Sequence, residues 1–149
     1  MTPTKIKTGA KKMGRFSVEF EIVNRADVNL AQRGFLPPEK IRRVKLQGVV
    51  DCGATRLVLP QRAVKQLGLE PTGTIQVRYA DRRQAVRPTV EDVQVELLGR
   101  RGTFTASIEP RRRTALIGAI VLEDLDFLID PLLMRLVPRD PKTIISEEE

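Results

Sequence analysis

Strict alternation between residues 93 and 108 restricts the fold more than any other feature. Val93, Val95 and Leu97 alternate with Gln94 and Glu96. Gly99-Arg100-Arg101-Gly102 follows, and then Phe104, Ala106 and Ile108 alternate with Thr103, Thr105 and Ser107. A period of two, interrupted by a glycine-flanked turn, describes two half-buried strands joined as a hairpin. The same period recurs at Ser17–Ile22, where Val18, Phe20 and Ile22 share one face, and an apolar strand pattern runs through Arg43–Val50. Residues 74–79 and 85–90 flank a polar tip at 80–84, which predicts a second hairpin. Residues 55–59 predict a short strand, and 126–131 with 135–138 a last strand pair around a turn.

Helical signals are few. Pro60 suits a first helical turn, Gly68 a C-terminal stop, and Ala63, Val64 and Leu67 a common face. Residues 119–125 predict a further turn or two. The stretch 24–40, polar and interrupted by Pro37-Pro38, reads as a long connection. Many short strands with frequent turn signals predict an all-β, closed barrel-like domain with one or two short helices and no internal repeat. At 149 residues the chain is long enough for one core. The expected division is a basic, disordered segment over 1–16, a folded domain over 17–138 and an acidic tail over 139–149.

Composition narrows the chemistry. The sequence has no histidine and one cysteine, Cys52. That excludes an intramolecular disulfide and Ser-His or Cys-His catalysis within one chain, and it argues against a structural zinc. Acid–base work would fall to carboxylates, lysines or Tyr79. The formal net charge is +7, but the basic residues are dispersed in pairs and triplets such as Arg82-Arg83 and Arg111-Arg112-Arg113, and aromatics are scarce. A nucleic-acid surface is not expected from this pattern; the triplet reads as a solvated loop. No apolar run approaches the ~20 residues of a membrane span, and the basic N-terminus lacks the apolar core of a signal peptide. A cytoplasmic, membrane-free protein is expected, a setting that also suits a lone thiol.

The chemically pointed segment is Val49-Val50-Asp51-Cys52-Gly53-Ala54, followed by Leu57-Val58-Leu59-Pro60. A strand that delivers one carboxylate onto a tight turn is costly unless the acid has a partner or a task. Ala115-Leu116-Ile117-Gly118, with an apolar stretch through Leu125 behind it, is the second such segment. The pair resembles the two halves of a retropepsin-like domain. The first half is similar to the apolar-apolar-Asp-Thr/Ser-Gly-Ala loop of aspartic proteases, with Cys52 at the hydroxyl position. Across 17–138 the chain resembles bacterial, retroviral-type members of that group.

The resemblance implies a single-lobed, homodimeric aspartic endopeptidase that needs neither metal nor organic cofactor and acts on extended polypeptide. Asp51 of each subunit would be catalytic, and Cys52, Gly53 and Ala54 would shape its loop. Ile117 and Gly118 would pass behind the loop and support it. The hairpin carrying Tyr79, Ala80 and Asp81 would be the flap over the substrate, although its tip lacks the usual glycine. Two carboxylates about one water share a proton, which implies an acidic optimum. A thiol donates and accepts weakly, so Cys52 implies looser coupling of the two loops and reduced activity. The competing expectation is a silent peptide-binding or dimerisation module on the same scaffold.

Overall fold

A computed structural model describes residues 15–149. The expected disordered segment at 1–16 lies almost wholly outside them. Nine strands and three short α-helices follow one another as β1 (Phe16–Asn24), α1 (Arg25–Gln32), β2 (Arg43–Val50), β3 (Leu57–Pro60), α2 (Gln61–Leu67), β4 (Gly73–Arg78), β5 (Gln84–Leu97), β6 (Arg100–Glu109), β7 (Ala115–Ile117), α3 (Ala119–Asp124), β8 (Phe127–Asp130) and β9 (Arg135–Pro138); a single 3-10 turn spans Pro38–Lys40.

Six strands close a barrel. The hydrogen-bonded order is β1-β2-β7-β3-β6-β5, and β5 returns to β1; β4 extends the sheet beyond β5. Antiparallel pairing dominates, but β2–β7 and β3–β6 are parallel. The alternation in β5 and β6 sends Val93, Val95, Leu97, Ala106 and Ile108 inward with Ile22, Val50, Leu57, Leu59 and Ile117. Each fully buried aliphatic side chain contributes about 1.5–3 kcal/mol relative to exposure. The all-β closed barrel with short helices expected from the sequence is the fold observed.

Three details differ from the sequence reading. Residues 25–32 are a helix rather than connection. Asn24 caps it, its side chain accepting the Asp27 N–H at 3.0 Å and donating to Leu67 O at 2.9 Å. The helix has no apolar stripe to announce it; its buried residue is Asp27. That carboxylate takes the Arg42 backbone N–H at 3.0 Å and the Arg42 guanidinium at 2.8 and 3.0 Å. Next, the runs 85–90 and 93–97 are one strand. A register shift between Val90 and Val93, with Asp92 in the left-handed region at φ 64°, bends it without ending it. Finally, residues after β9 are bound to the barrel end. Arg139 Nε lies 2.7 Å from Asp126 Oδ1, the Ile145 N–H donates to Asp126 Oδ2 at 3.0 Å, and Arg100 donates to the carbonyls of Leu125, Asp126, Asp140 and Thr143. No helix among the described residues is long and apolar enough to cross a membrane.

Candidate active site

Strand β2 pairs in parallel with β7 up to Val50 opposite Ile117. The next backbone N–H, that of Asp51, donates to Ile117 O at 3.1 Å. The chain then turns: the Ala54 N–H donates to Asp51 O at 3.1 Å, and Asp51 Oδ1 accepts the Gly53 N–H at 2.9 Å. Behind the turn runs Gly118. A Cβ there would stand 2.6 Å from Arg56 O and 2.8 Å from Ala54 O, both backbone atoms, so any side chain would push the loop away. Helix α3 begins at this point. Its first two N–H groups, from Ala119 and Ile120, donate to Ala54 O and Thr55 O, each at 2.9 Å. Unsatisfied N–H groups at a helix start thus become the clamps of the Asp51 loop. The two sequence segments meet here, with Ile117 against Asp51 and Gly118 against Ala54 and Arg56.

Each loop residue has a distinct environment. The Asp51 side chain keeps 19% of its surface accessible, and its Oδ2 lies 3.6 Å from Arg15 Nε. Arg15 is half exposed, so this pair stabilises by less than about 1 kcal/mol. Cys52 is buried in the chain's own apolar core, where a thiol behaves as a small hydrophobe. Gly53 is exposed, and a Cβ on it would meet only Asp51 Oδ1, at 3.2 Å. Within one chain, then, a side chain at 53 would press only on the Asp51 carboxylate, whereas one at 118 would strike backbone.

Strands β4 and β5 form the predicted hairpin, from Gly73 opposite Thr89 to Arg78 opposite Gln84. Its tip closes through the Tyr79 N–H to Arg83 O, 2.9 Å, and the Arg82 N–H to Tyr79 O, 3.0 Å. Arg82 takes the left-handed conformation, φ 70°, that glycine would usually supply. Asp81 accepts the Arg83 N–H at 3.1 Å and pairs with Arg83 Nε at 2.7 Å, and this guanidinium holds the Asp81 carboxyl below its ordinary range. Tyr79 ties the hairpin to the barrel. Its hydroxyl donates to Glu109 Oε2 at 2.5 Å and accepts from Arg87 Nε at 3.0 Å, while Arg87 Nε lies 3.1 Å from Glu109 Oε1.

Glu109 and Arg87 were not singled out by sequence. Glu109 is 30 residues from Tyr79, and nothing in its local pattern marks it. The basic loop 110–114 is also more differentiated than a solvated run. Arg111 and Arg113 are exposed, but Arg112 is half-buried. It donates from Nε to Thr114 O at 2.9 Å and from Nη2 to Thr114 Oγ1 at 3.2 Å. Burial pushes its guanidinium below the ordinary arginine range; the charges of Glu109 and Asp51 oppose that shift and Arg15 reinforces it. Among the described residues no cluster of three Cys, Asp or Glu side chains could hold a metal ion.

Residues 40–121, more than half of the chain, match the aspartyl protease family, and the protein belongs to that family. No curated protein matches the sequence. Among solved structures the chain is similar to a retropepsin-like aspartic protease from Rickettsia conorii, at 19% identity over 80% of this chain and 88% of that one, TM-score 0.47. The retroviral protease-like domain of Ddi1 from Leishmania major is similar at 19% identity over 65% and 81%, TM-score 0.46. A foamy viral protease-reverse transcriptase is similar at 19% identity over 52% of this chain, TM-score 0.44; the match covers 10% of that longer chain.

Proposed function

We propose that the domain over residues 17–138 is an aspartic endopeptidase that works as a homodimer, with one Asp51 from each subunit in a shared site. The observation that carries this reading is an accessible carboxylate on a loop clamped by backbone hydrogen bonds, in a chain that supplies one such acid. A two-fold axis supplies the second.

The chemistry follows from the pair. One ionised Asp51 takes a proton from a water lying between the two carboxylates. The water oxygen attacks the peptide carbonyl, whose oxygen receives a proton from the other, neutral Asp51. In the second step the Asp51 that took the water proton gives it to the amide nitrogen, the other Asp51 takes a hydroxyl proton back, the C–N bond breaks, and an acid and an amine leave. The fixed loop holds both carboxylates in place, so little reorganisation accompanies the step. The Tyr79 backbone N–H and C=O already bond within the tip. Ala80 and Asp81 are therefore the flap residues whose backbone would meet an extended polypeptide by strand addition. Gly53, open within one chain, is small because substrate or the partner loop approaches it. Cys52 sits in the core and supports the loop from beneath. The lone cysteine suits a reducing, cytoplasmic setting.

The test is a peptide-library digestion near pH 5 with wild type and Asp51→Asn, with molecular mass measured in the same buffer. Cleavage that falls by at least roughly a thousandfold in Asp51→Asn, from a dimeric sample, is the expected result. A folded dimer that cuts nothing would turn the reading toward a silent peptide-binding module.

A further inference from the structure

Strand β4 is the outermost strand of its sheet and is paired with β5 alone. The hairpin tip has one further hold, and it ends on a single acid. The Tyr79 hydroxyl donates to Glu109 Oε2 at 2.5 Å and accepts from Arg87 Nε at 3.0 Å; Arg87 Nε lies 3.1 Å from Glu109 Oε1. Glu109 closes β6, a barrel strand, so its carboxylate is where the hairpin meets the barrel. The side chain is mostly buried, with 12% of its surface accessible.

This junction works only with an anion at its centre. An ionised Glu109 offers one oxygen to the hydroxyl and the other to the guanidinium. A neutral carboxyl has one good acceptor oxygen left, and its proton points into a place already filled by donors. Arg87 then loses the charge opposite it. Hydrogen bonds to an ionised partner are roughly twice as strong as neutral ones, so protonation weakens the hold without removing a side chain. The surroundings supply no second anchor for the tip. Pro60 of β3, the parallel partner of Glu109, carries no charge. Arg112, in the loop after β6, acts on Glu109 through its charge and bonds to Thr114. Lys65 and Glu70 lie on the cleft that Arg87 lines.

We propose that Glu109 is a proton-operated latch on the β4–β5 hairpin. Ionised, it holds the tip against the barrel through Tyr79 and Arg87; on taking up a proton from solvent it lets the tip lift. As regulation of the proposed site this rests on the endopeptidase reading. Two Asp51 carboxylates that share a proton work at acidic pH, so the hairpin would loosen over the range in which the pair is competent. Extended polypeptide would then enter and products leave more freely.

Amide exchange followed by mass spectrometry, near pH 7 and near pH 4, tests the latch. Each rate is expressed as protection relative to the unstructured chain at the same pH. In wild type we expect protection of residues 75–79 and 84–87 to fall by roughly tenfold at the lower pH, with 93–97 of the barrel wall unchanged. Glu109→Gln, which imitates the neutral carboxyl, should start low and fall by less than roughly threefold. The Asp81–Arg83 pair at the tip also titrates, but it is present in both proteins and cancels between them. Tyr79→Phe keeps both charges and removes the hydroxyl; 75–79 should be low at both pH values, and this variant carries the test if Glu109→Gln does not fold. A wild-type hairpin equally protected at both pH values overturns the proposal. So does a wild-type-sized fall in Glu109→Gln or in 75–79 of Tyr79→Phe, or a fall shared by 93–97. Cleavage is not measured, so an inactive wild type would sink the endopeptidase reading and leave the latch standing.

Discussion

The Asp51 loop and the β4–β5 hairpin, the two parts of the proposed site, are held by different means. The loop is clamped by main chain: Asp51 to Ile117, and Ala119 and Ile120 to Ala54 and Thr55. The hairpin reaches the barrel through side chains, in the Tyr79, Glu109 and Arg87 network. Main-chain clamps demand small residues where backbones pass, and no side chain can replace them. Side-chain links can be exchanged for others of similar reach. The Asp51 carboxylate is thus fixed by what is missing, a side chain at 118, and the hairpin by what is present.

The largest expected effect comes from filling the gap at 118. Gly118→Ala places a methyl carbon against backbone atoms at 2.6 and 2.8 Å, which cannot swing aside. We expect a loss of about 3 kcal/mol, read as a lower urea midpoint, together with loss of cleavage. A variant as stable as wild type would show that the loop moves freely and would dissolve the contrast.

A mixed case sharpens the comparison. Asp27 accepts one backbone N–H and a guanidinium, both from Arg42, and the guanidinium contact chiefly holds its carboxyl below the ordinary value of 3.8, against the opposing effect of burial. A depressed carboxyl contributes stability that is fully present above the unfolded pKa and is lost as pH falls through the lower, folded pKa. Wild type should therefore lose stability below about pH 4 through this group, and Asp27→Asn should be weaker by about 1–2 kcal/mol at pH 6 with a shallower acid slope. Urea midpoints at the two ends of that range check it. Parallel slopes would mean that neither Arg42 contact holds the Asp27 carboxyl below its ordinary value.

The smallest effect belongs to the hairpin. Glu109→Gln should leave the fold intact and speed amide exchange in residues 75–79 and 84–87 by roughly tenfold, with Tyr79→Phe acting in the same direction. Hydrogen exchange followed by mass spectrometry reads this without reference to catalysis. Exchange as slow as in wild type would mean that β-pairing alone holds the hairpin.

What sequence could reveal follows the same division. The barrel strands were legible because alternation is written into consecutive residues, as in Val93–Leu97. The Asp51 loop and its backing were legible through the resemblance, and main-chain clamping accounts for the glycine where the backbones pass, Gly118. Helix α1 was not, since its capping Asn24 and buried Asp27 do their work against Leu67 and Arg42, far along the chain. Arg112 looked like its neighbours for a related reason. Three consecutive arginines carry one composition, and only the path of the loop decides which of them turns inward.

Strand β5 spans the hairpin and the barrel, and the bend between Val90 and Val93 separates the two. Above it the strand pairs with β4; below it the strand closes the barrel against β1. Lengthening or shortening the tip at 79–83 changes the upper half and is absorbed at the irregularity, so the wall keeps its register. A change of length or sequence in the hairpin can thus stay local, while the barrel beneath it keeps its pairing.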